Sequence, residues 1–365
     1  MPTSNPPLPR KPLSDDAFQR PDWTKVARDT KDVIALDKNE NLDSRLKEII
    51  ADIIGGVPVE AVMEYPECAP YYHRLAKHLG IKPECLLFTP GSDGAIRTVF
   101  ETFLSPGQTV LQTKPSFAMY PIYTEMYDGN VIELNYKESP SGPILAAESI
   151  CESIKSLRPR LFCMPNPDSP TGTIFGTHDL ARIVAACEQV DAVVLIDEAY
   201  YPFSNISAIP LIDQFQNLVV AQTFAKGWGL AGLRLGFAAA HPNMASLLHK
   251  VRPMYEVNGL ALAVMSELIV NFDEVKAAVD RINAGKEFFL NRMKGLGFRT
   301  LDCAGNFVHV DFGDARKTIH KQLVGKVLYK LDFEDPCLAG FSRFTAGPKA
   351  TMVDISKIIE HALDR

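Results

Sequence analysis

The 365-residue sequence predicts an α/β protein, a mostly parallel sheet sandwiched by helices, with a smaller α+β domain. Three observations predict it. From about Pro70 to Ala240, short apolar runs recur with amphipathic segments between them. Strands apolar on both faces that alternate with helices are the pattern of a parallel sheet covered on both sides. After about Asn258 the pattern changes to long helical periodicities, and the length exceeds one typical core, so a second, smaller unit is expected.

In chain order, residues 1–30 carry Pro2, Pro6, Pro7, Pro9 and Pro12 and read as an extended arm. Strands are expected at 85–88, 109–112, 131–134, 160–164, 192–196, 218–222 and 235–240, with helices at 96–104 and 178–190. Beyond them, 274–296 and 315–331 read as long helices, and 307–312 and 341–345 as strands. The expected organisation is an arm over 1–30, a large domain over 31–257 and a small domain over 258–365.

A net charge of −6 and a pI of about 5.8 give no general footprint for nucleic acid, so small-molecule chemistry is favoured. The 46% hydrophobic and 22% charged composition is that of an ordinary soluble globular protein. Seven cysteines are scattered without Cys-x-x-Cys or metal-ligand spacing to histidine, so no metal site is expected and the thiols read as reduced, in a cytoplasmic protein. The stretch 260–270 is broken by Ser266 and Glu267 and is too short for a bilayer span, and the N-terminus lacks the apolar core of a signal peptide.

The chemistry concentrates around Lys226, in Thr223-Phe224-Ala225-Lys226-Gly227-Trp228-Gly229. A lysine set between two apolar runs, among small residues, is placed where desolvation can free its amine as a nucleophile, which makes it a Schiff-base candidate. Asp197 closes the run Ala192-Val193-Val194-Leu195-Ile196 and needs a cationic partner if buried, although an aspartate at a strand end also serves as a helix cap. Gly91-Ser92-Asp93-Gly94 lies between a strand and a helix, so its backbone N–H groups and the helix dipole suit a phosphate. The spacing Gly227-Trp228-Gly229-Leu230-Ala231-Gly232 matches a dinucleotide fingerprint literally, but it arrives late in the chain and follows the lysine, so it is read as chance.

The order Asp197-Glu198-Ala199-Tyr200, then Thr223-x-x-Lys226, then Gly232-x-Arg234-x-Gly236 resembles the pyridoxal-phosphate (PLP) aminotransferases of fold type I, most closely those like histidinol-phosphate aminotransferase. That resemblance covers nearly the whole chain. It implies that Lys226 carries PLP and then moves the proton between the substrate Cα and the cofactor, and that Asp197 faces the pyridinium nitrogen. It implies that Tyr200 and Ser169 reach the phenolic oxygen, that Phe117 stacks on the ring, and that Ser92, Asp93, Thr223 and Arg234 belong to the phosphate cup. Arg234 also has a simpler reading as a structural ion-pair partner. The resemblance further implies that the N-terminal segment of the large domain packs with the C-terminal domain, and a homodimer with active sites in the cleft between domains and at the subunit interface, Tyr65 reaching the phosphate of the neighbouring subunit's cofactor. Arg343, Asn39 and Asn41 would bind substrate, an amino donor or a 2-oxo acid acceptor, in amino-acid biosynthesis.

Three departures from that family's pattern bear on the cofactor and the substrate. Asn166-Pro167-Asp168-Ser169-Pro170-Thr171-Gly172 stands where the family has Asn-Pro-Asn-Asn-Pro-Thr-Gly, so a shorter serine hydroxyl replaces the amide next to the proline. Glu64 stands where an arginine usually precedes Tyr-Pro, and Lys330 where an arginine recognises a substrate phosphate. These changes weaken the expectation that histidinol phosphate itself is the substrate. A PLP decarboxylase or lyase on the same scaffold is the competing enzymatic reading, since the cofactor stabilises whichever bond's electrons align with its ring. A non-catalytic PLP-binding module is disfavoured because the lysine, aspartate and arginine positions are filled.

Overall fold

The computed structural model describes residues 9–14 and 31–364. Its strands are β1 (Ile34–Ala35), β2 (Leu86–Thr89), β3 (Thr109–Lys114), β4 (Asn130–Asn135), β5 (Leu161–Pro165), β6 (Val193–Asp197), β7 (Leu218–Thr223) and β8 (Gly236–Ala240). They continue with β9 (Arg299–Asp302), β10 (Phe307–Asp311), β11 (Val327–Leu328) and β12 (Phe341–Thr345). Seven of them form the large sheet in the order β2-β8-β7-β6-β5-β3-β4. Only β8 runs against its neighbours, pairing antiparallel with both β2 and β7.

Every residue of β2, β5, β6, β7 and β8 is buried, as their unbroken apolar runs require. Helices cover both faces. The helix Gly91–Phe103 buries Ala95, Ile96, Val99, Phe100 and Phe103, an i, i+3, i+4 stripe, against the β6–β8 side of the sheet. Fully burying one such aliphatic or aromatic side chain contributes roughly 1.5–3 kcal/mol. On the opposite face, Val264 and Met265 from the helix Gly259–Val270 share an apolar cluster with Phe88, Ile196 and Phe224. Thus the apolar stretch considered against a bilayer span is a core helix. No helix among the described residues is long and apolar enough to cross a membrane.

The C-terminal part builds a second core on the antiparallel sheet β12-β10-β9, packed by the 24-residue helix Phe272–Gly295 and by Lys349–Leu363. Leu36 lies in that core beside Phe289, Val310 and Phe344, and β1 pairs in parallel with β11. The chain therefore enters through the C-terminal core before building the large sheet. The expected boundary at 257/258 falls just ahead of a helix whose apolar side chains pack into the large sheet's core.

The helix expected over 315–331 is corrected: it runs only from Arg316 to Leu323, and β11 follows. Gly325 breaks it by adopting φ +76°, a left-handed conformation that ends helices, and Val327 and Leu328 then pair with Ile34 and Ala35. Of the expected arm, residues 1–8 and 15–30 lie outside the described residues. Lys11–Ser14 form a single 3-10 turn, and the guanidinium of Arg10 donates to Met126 O at 3.2 Å.

Candidate active site

The parallel strands end level with one another. Pro165 is in register with Asp197, and Asp197 with Ala221, so the segments following β5, β6 and β7 emerge at one edge of the sheet. In such sheets the crevice outside the carboxyl ends is where ligands bind. There a cavity of about 450 Å³ is lined by Ser92, Asp93, Phe117, Ser169, Asp197, Tyr200, Thr223, Lys226 and Arg234. Residues spread over more than 140 positions of sequence meet there because each sits at or just beyond a strand's end.

Asp197 forms the floor and is 5% exposed. Its Oδ1 accepts from the Ala199 N–H at 3.1 Å and its Oδ2 from the Tyr120 hydroxyl at 3.4 Å, neutral donors both. Burial pushes its carboxyl up to about 7, and the backbone hydrogen bond, Tyr120 and the charge of Lys226 only partly oppose that. Lys226 is half-buried, with Nζ donating to Lys38 O at 2.7 Å and lying 5.8 Å from the Tyr200 ring centroid. The buried Tyr200 hydroxyl accepts from Asn39 Nδ2 at 2.9 Å and donates to Ser169 Oγ at 3.4 Å. Burial alone would raise the Tyr200 phenol, but the charges of Lys226 and Arg343 and the bonds to Ser169 and Asn39 outweigh it and hold it below its ordinary value.

At the other end of the cavity, Ser92 and Asp93 occupy the first turn of the helix Gly91–Phe103. Gly91 has φ +75°, and a Cβ there would meet Arg234 Nη2 at 2.9 Å, so only glycine lets the guanidinium lie against the helix start. Arg234 is itself held at φ +54°, a costly conformation for a side-chain-bearing residue, and its Nη1 donates to Ala231 O at 3.1 Å. Orphan helix N–H groups and a guanidinium therefore converge on one spot, a strong anion site. Asp93 accepts from the Tyr123 hydroxyl at 2.9 Å, and the Phe117 ring stands edge-on to Tyr120 with centroids 5.7 Å apart.

Four predicted residues lie off this cavity's lining. Asn39 is buried behind it and touches it through Tyr200, while its backbone N–H donates to Thr345 Oγ1 at 2.9 Å. Asn41 instead holds the segment after Lys226: its Nδ2 donates to Gly227 O at 3.0 Å and its Oδ1 accepts from the Asp43 N–H at 2.9 Å. Arg343 donates through Nη2 to Asp37 O at 2.8 Å, with its guanidinium 5.5 Å from the Phe307 ring. Tyr65 is 72% exposed, stacked on Tyr255 at 4.0 Å, and with Glu64 lines a separate surface cavity. Lys330 forms an isolated bridge with Arg343, and its Nζ lies 5.6 Å from the Phe333 ring.

Sequence reasoning missed Tyr120, Tyr123 and Lys38. The first two sit on the helix Met119–Met126, where buried tyrosines read as core, and Lys38 acts through its carbonyl, which no residue type announces. It also missed Asp168, which replaces an amide of the resembled motif and is 1% exposed. Its Oδ1 accepts from the Thr171 N–H and hydroxyl at 3.0 and 2.6 Å, and burial pushes its carboxyl up to about 7.

The cavity fits PLP on its own chemistry. A buried carboxyl with only neutral donors calls for a cationic ring nitrogen, an amine stands beside it, and an anion cradle lies at the far end. The comparisons agree. The family profile "Aminotransferase class I and II" matches residues 31–361. Histidinol-phosphate aminotransferase 1 of Carboxydothermus hydrogenoformans is 30% identical over 316 residues, covering 86% of this chain and 88% of that protein. Among solved structures, the histidinol-phosphate aminotransferase of Sinorhizobium meliloti in complex with pyridoxal-5'-phosphate superposes with a TM-score of 0.77 at 20% identity, covering 91% of each chain. The L-threonine-O-3-phosphate decarboxylase of Porphyromonas gingivalis shares the fold at a TM-score of 0.76 and 18% identity, over 91% of this chain and 100% of that one. The chain belongs to the class I and II aminotransferase family, whose members work with PLP.

Proposed function

We propose that this aminotransferase moves an amino group between a carboxylate-bearing amino donor and a 2-oxo acid, using Lys226, Asp197, Tyr200 and the Ser92–Arg234 cradle as its site. The meeting of Lys226, Asp197 and Arg234 around one cavity carries the reading. When bound, PLP supplies an electron sink for the substrate Cα. Lys226 Nζ holds the cofactor and then takes and returns the proton at that carbon. Asp197 would face the ring nitrogen and keep it protonated, its own burial being compatible with the carboxylate form only against such a cation. Tyr200 is fixed by Asn39 and Ser169 and would offer its hydroxyl to the ring's phenolic oxygen. Ser92, Asp93, Thr223 and Arg234, which line the cavity, would hold the phosphate, and Phe117 would cover the ring.

Arg343 offers a planar fork for the donor's carboxylate, which a lysine could not match, and glutamate with 2-oxoglutarate is the first pair to test. The relatives named histidinol-phosphate aminotransferase make histidinol phosphate the competitor. Lys330 in place of an arginine favours the carboxylate donor over it. In this reading the enzyme is a cytoplasmic homodimer of amino-acid biosynthesis. Support for the dimer comes from the exposed side chains of Val59, Val62, Met63, Tyr65, Met254 and Tyr255, a patch that carries the tyrosine expected to serve the neighbouring site.

Borohydride reduction of the yellow holoenzyme, followed by peptide mapping, should leave a pyridoxyl group on Lys226. A label on another lysine would sink the assignment. Lys226→Ala should abolish turnover even where PLP still binds through its phosphate. Steady-state kinetics then decide the substrate. A kcat/KM for histidinol phosphate far above that of every amino acid overturns the carboxylate reading, and release of carbon dioxide as the main product establishes a decarboxylase.

A further inference from the structure

His309 sits at the centre of β10, fully buried, with the rings of Phe307, Phe333 and Phe341 around it at 5.7, 5.2 and 6.1 Å. An apolar residue would fill that space without leaving a polar atom to satisfy. Its Nε2 lies 2.7 Å from Pro170 O, the carbonyl one residue past Ser169. A carbonyl only accepts, so Nε2 carries the hydrogen and Nδ1 is left as an acceptor. Nδ1 is buried and has no hydrogen-bond partner, and the same is true of the donor Arg343 Nε.

These two orphans complement each other. His309 and Arg343 are direct cross-strand partners on β10 and β12, so their side chains leave the same face of the sheet as neighbours. A buried pure acceptor and a buried pure donor each carry an unrepaid desolvation cost if left unmade, and a link between them relieves both. We propose that His309 is a positioning residue that ties Arg343 to the Ser169 loop: its Nε2–H holds Pro170 O while its Nδ1 accepts from Arg343 Nε–H through one bridging water. One imidazole then fixes both the fork that faces the donor's carboxylate and the turn that carries Ser169 to Tyr200. Burial supports this by pushing His309 down to about 3, which keeps the ring neutral and Nδ1 free to accept. The link to carboxylate binding rests on the reading of Arg343 given above, whereas the link between the two side chains does not.

Nitrogen-15 NMR of histidine-labelled apoprotein tests the contact itself, with the His309 signal assigned by its loss in His309→Gln. Expected is a neutral ring with the hydrogen on Nε2 and an Nδ1 signal that moves toward the unbonded position in Arg343→Met. A hydrogen on Nδ1, titration near ordinary histidine pH, or an Nδ1 signal indifferent to Arg343→Met would overturn the proposal. Calorimetric binding of succinate to the apoprotein reads the consequence. His309→Leu should weaken it about tenfold, the size of one lost hydrogen bond to a charged group. His309→Gln, which keeps one donor and one acceptor, should restore most of it. A folded leucine variant that binds like wild type, or a glutamine variant no better than leucine, would count against His309 as the link. If leucine prevents folding, the NMR arm and the glutamine variant still decide. Succinate binding indifferent to Arg343→Met refutes the carboxylate reading and leaves the NMR result to judge His309.

Discussion

Asp168→Asn should make this protein more stable at alkaline pH, because the wild-type carboxyl is buried with one oxygen, Oδ2, unpartnered. In the folded chain burial pushes it from 3.8 up to about 7, against the lowering effect of Thr171. A carboxyl whose folded pKa is raised binds protons more tightly folded than unfolded, so stability falls as pH rises through that window and levels off above it. The difference is 7 − 3.8, about 3 pH units, and at about 1.4 kcal/mol per unit the full effect is roughly 4 kcal/mol. Asparagine keeps the acceptor that Thr171 uses and cannot ionise. Denaturant melts of wild type and variant should therefore diverge, the variant gaining roughly 2–3 kcal/mol relative to wild type between about pH 5 and pH 8. Wild type should keep losing stability over that range in any case through Asp197 and Glu198, whose burial also raises them to about 7. Parallel curves for the two proteins would refute the reasoning, since they would mean that Asp168 ionises as readily folded as unfolded.

Adding PLP should remove part of the same pH dependence, because a cationic partner at Asp197 restores its ionised form; apo and holo melts that differ by a constant from about pH 5 to pH 8 would contradict this. Gly285→Ala should destabilise the C-terminal core by about 1–3 kcal/mol, since its Cβ would run into the backbone carbonyl of Gly347, which cannot yield as a flexible side chain would. Thermal melts check it, and an unchanged Tm would show that the helix Phe272–Gly295 is free to shift. Arg343→Lys should raise KM for a carboxylate donor about tenfold or more while leaving kcat nearly unchanged, and a fall in kcat alone would place Arg343 in the chemical step instead. Mixing Lys226→Ala chains with Tyr65 variants should recover part of the activity if sites are shared, and no recovery despite subunit exchange would speak against sharing.

The sequence by itself determined the parallel sheet, because strands buried on both faces must be apolar throughout and β5, β6 and β7 carry that requirement locally. The motifs that resemble the family also linked Lys226, Asp197, Thr223 and Arg234, and the fold brings the four to one cavity because each lies at or near a strand end. Helical periodicity failed over 315–331, where the pairing of β11 with β1 is a contact made across almost 300 residues and a single left-handed glycine ends the helix. The tertiary structure alone decided that Asn41 braces Gly227, that Tyr65 faces outward and that Asp168 is a buried carboxyl. It alone set His309 against Pro170 and beside Arg343, because a histidine in an apolar strand looks like any core residue until the carbonyl it meets, 139 positions away, is known. Burial and periodicity are written locally in the chain, whereas the partner of each buried polar group is fixed only when distant segments close on one another.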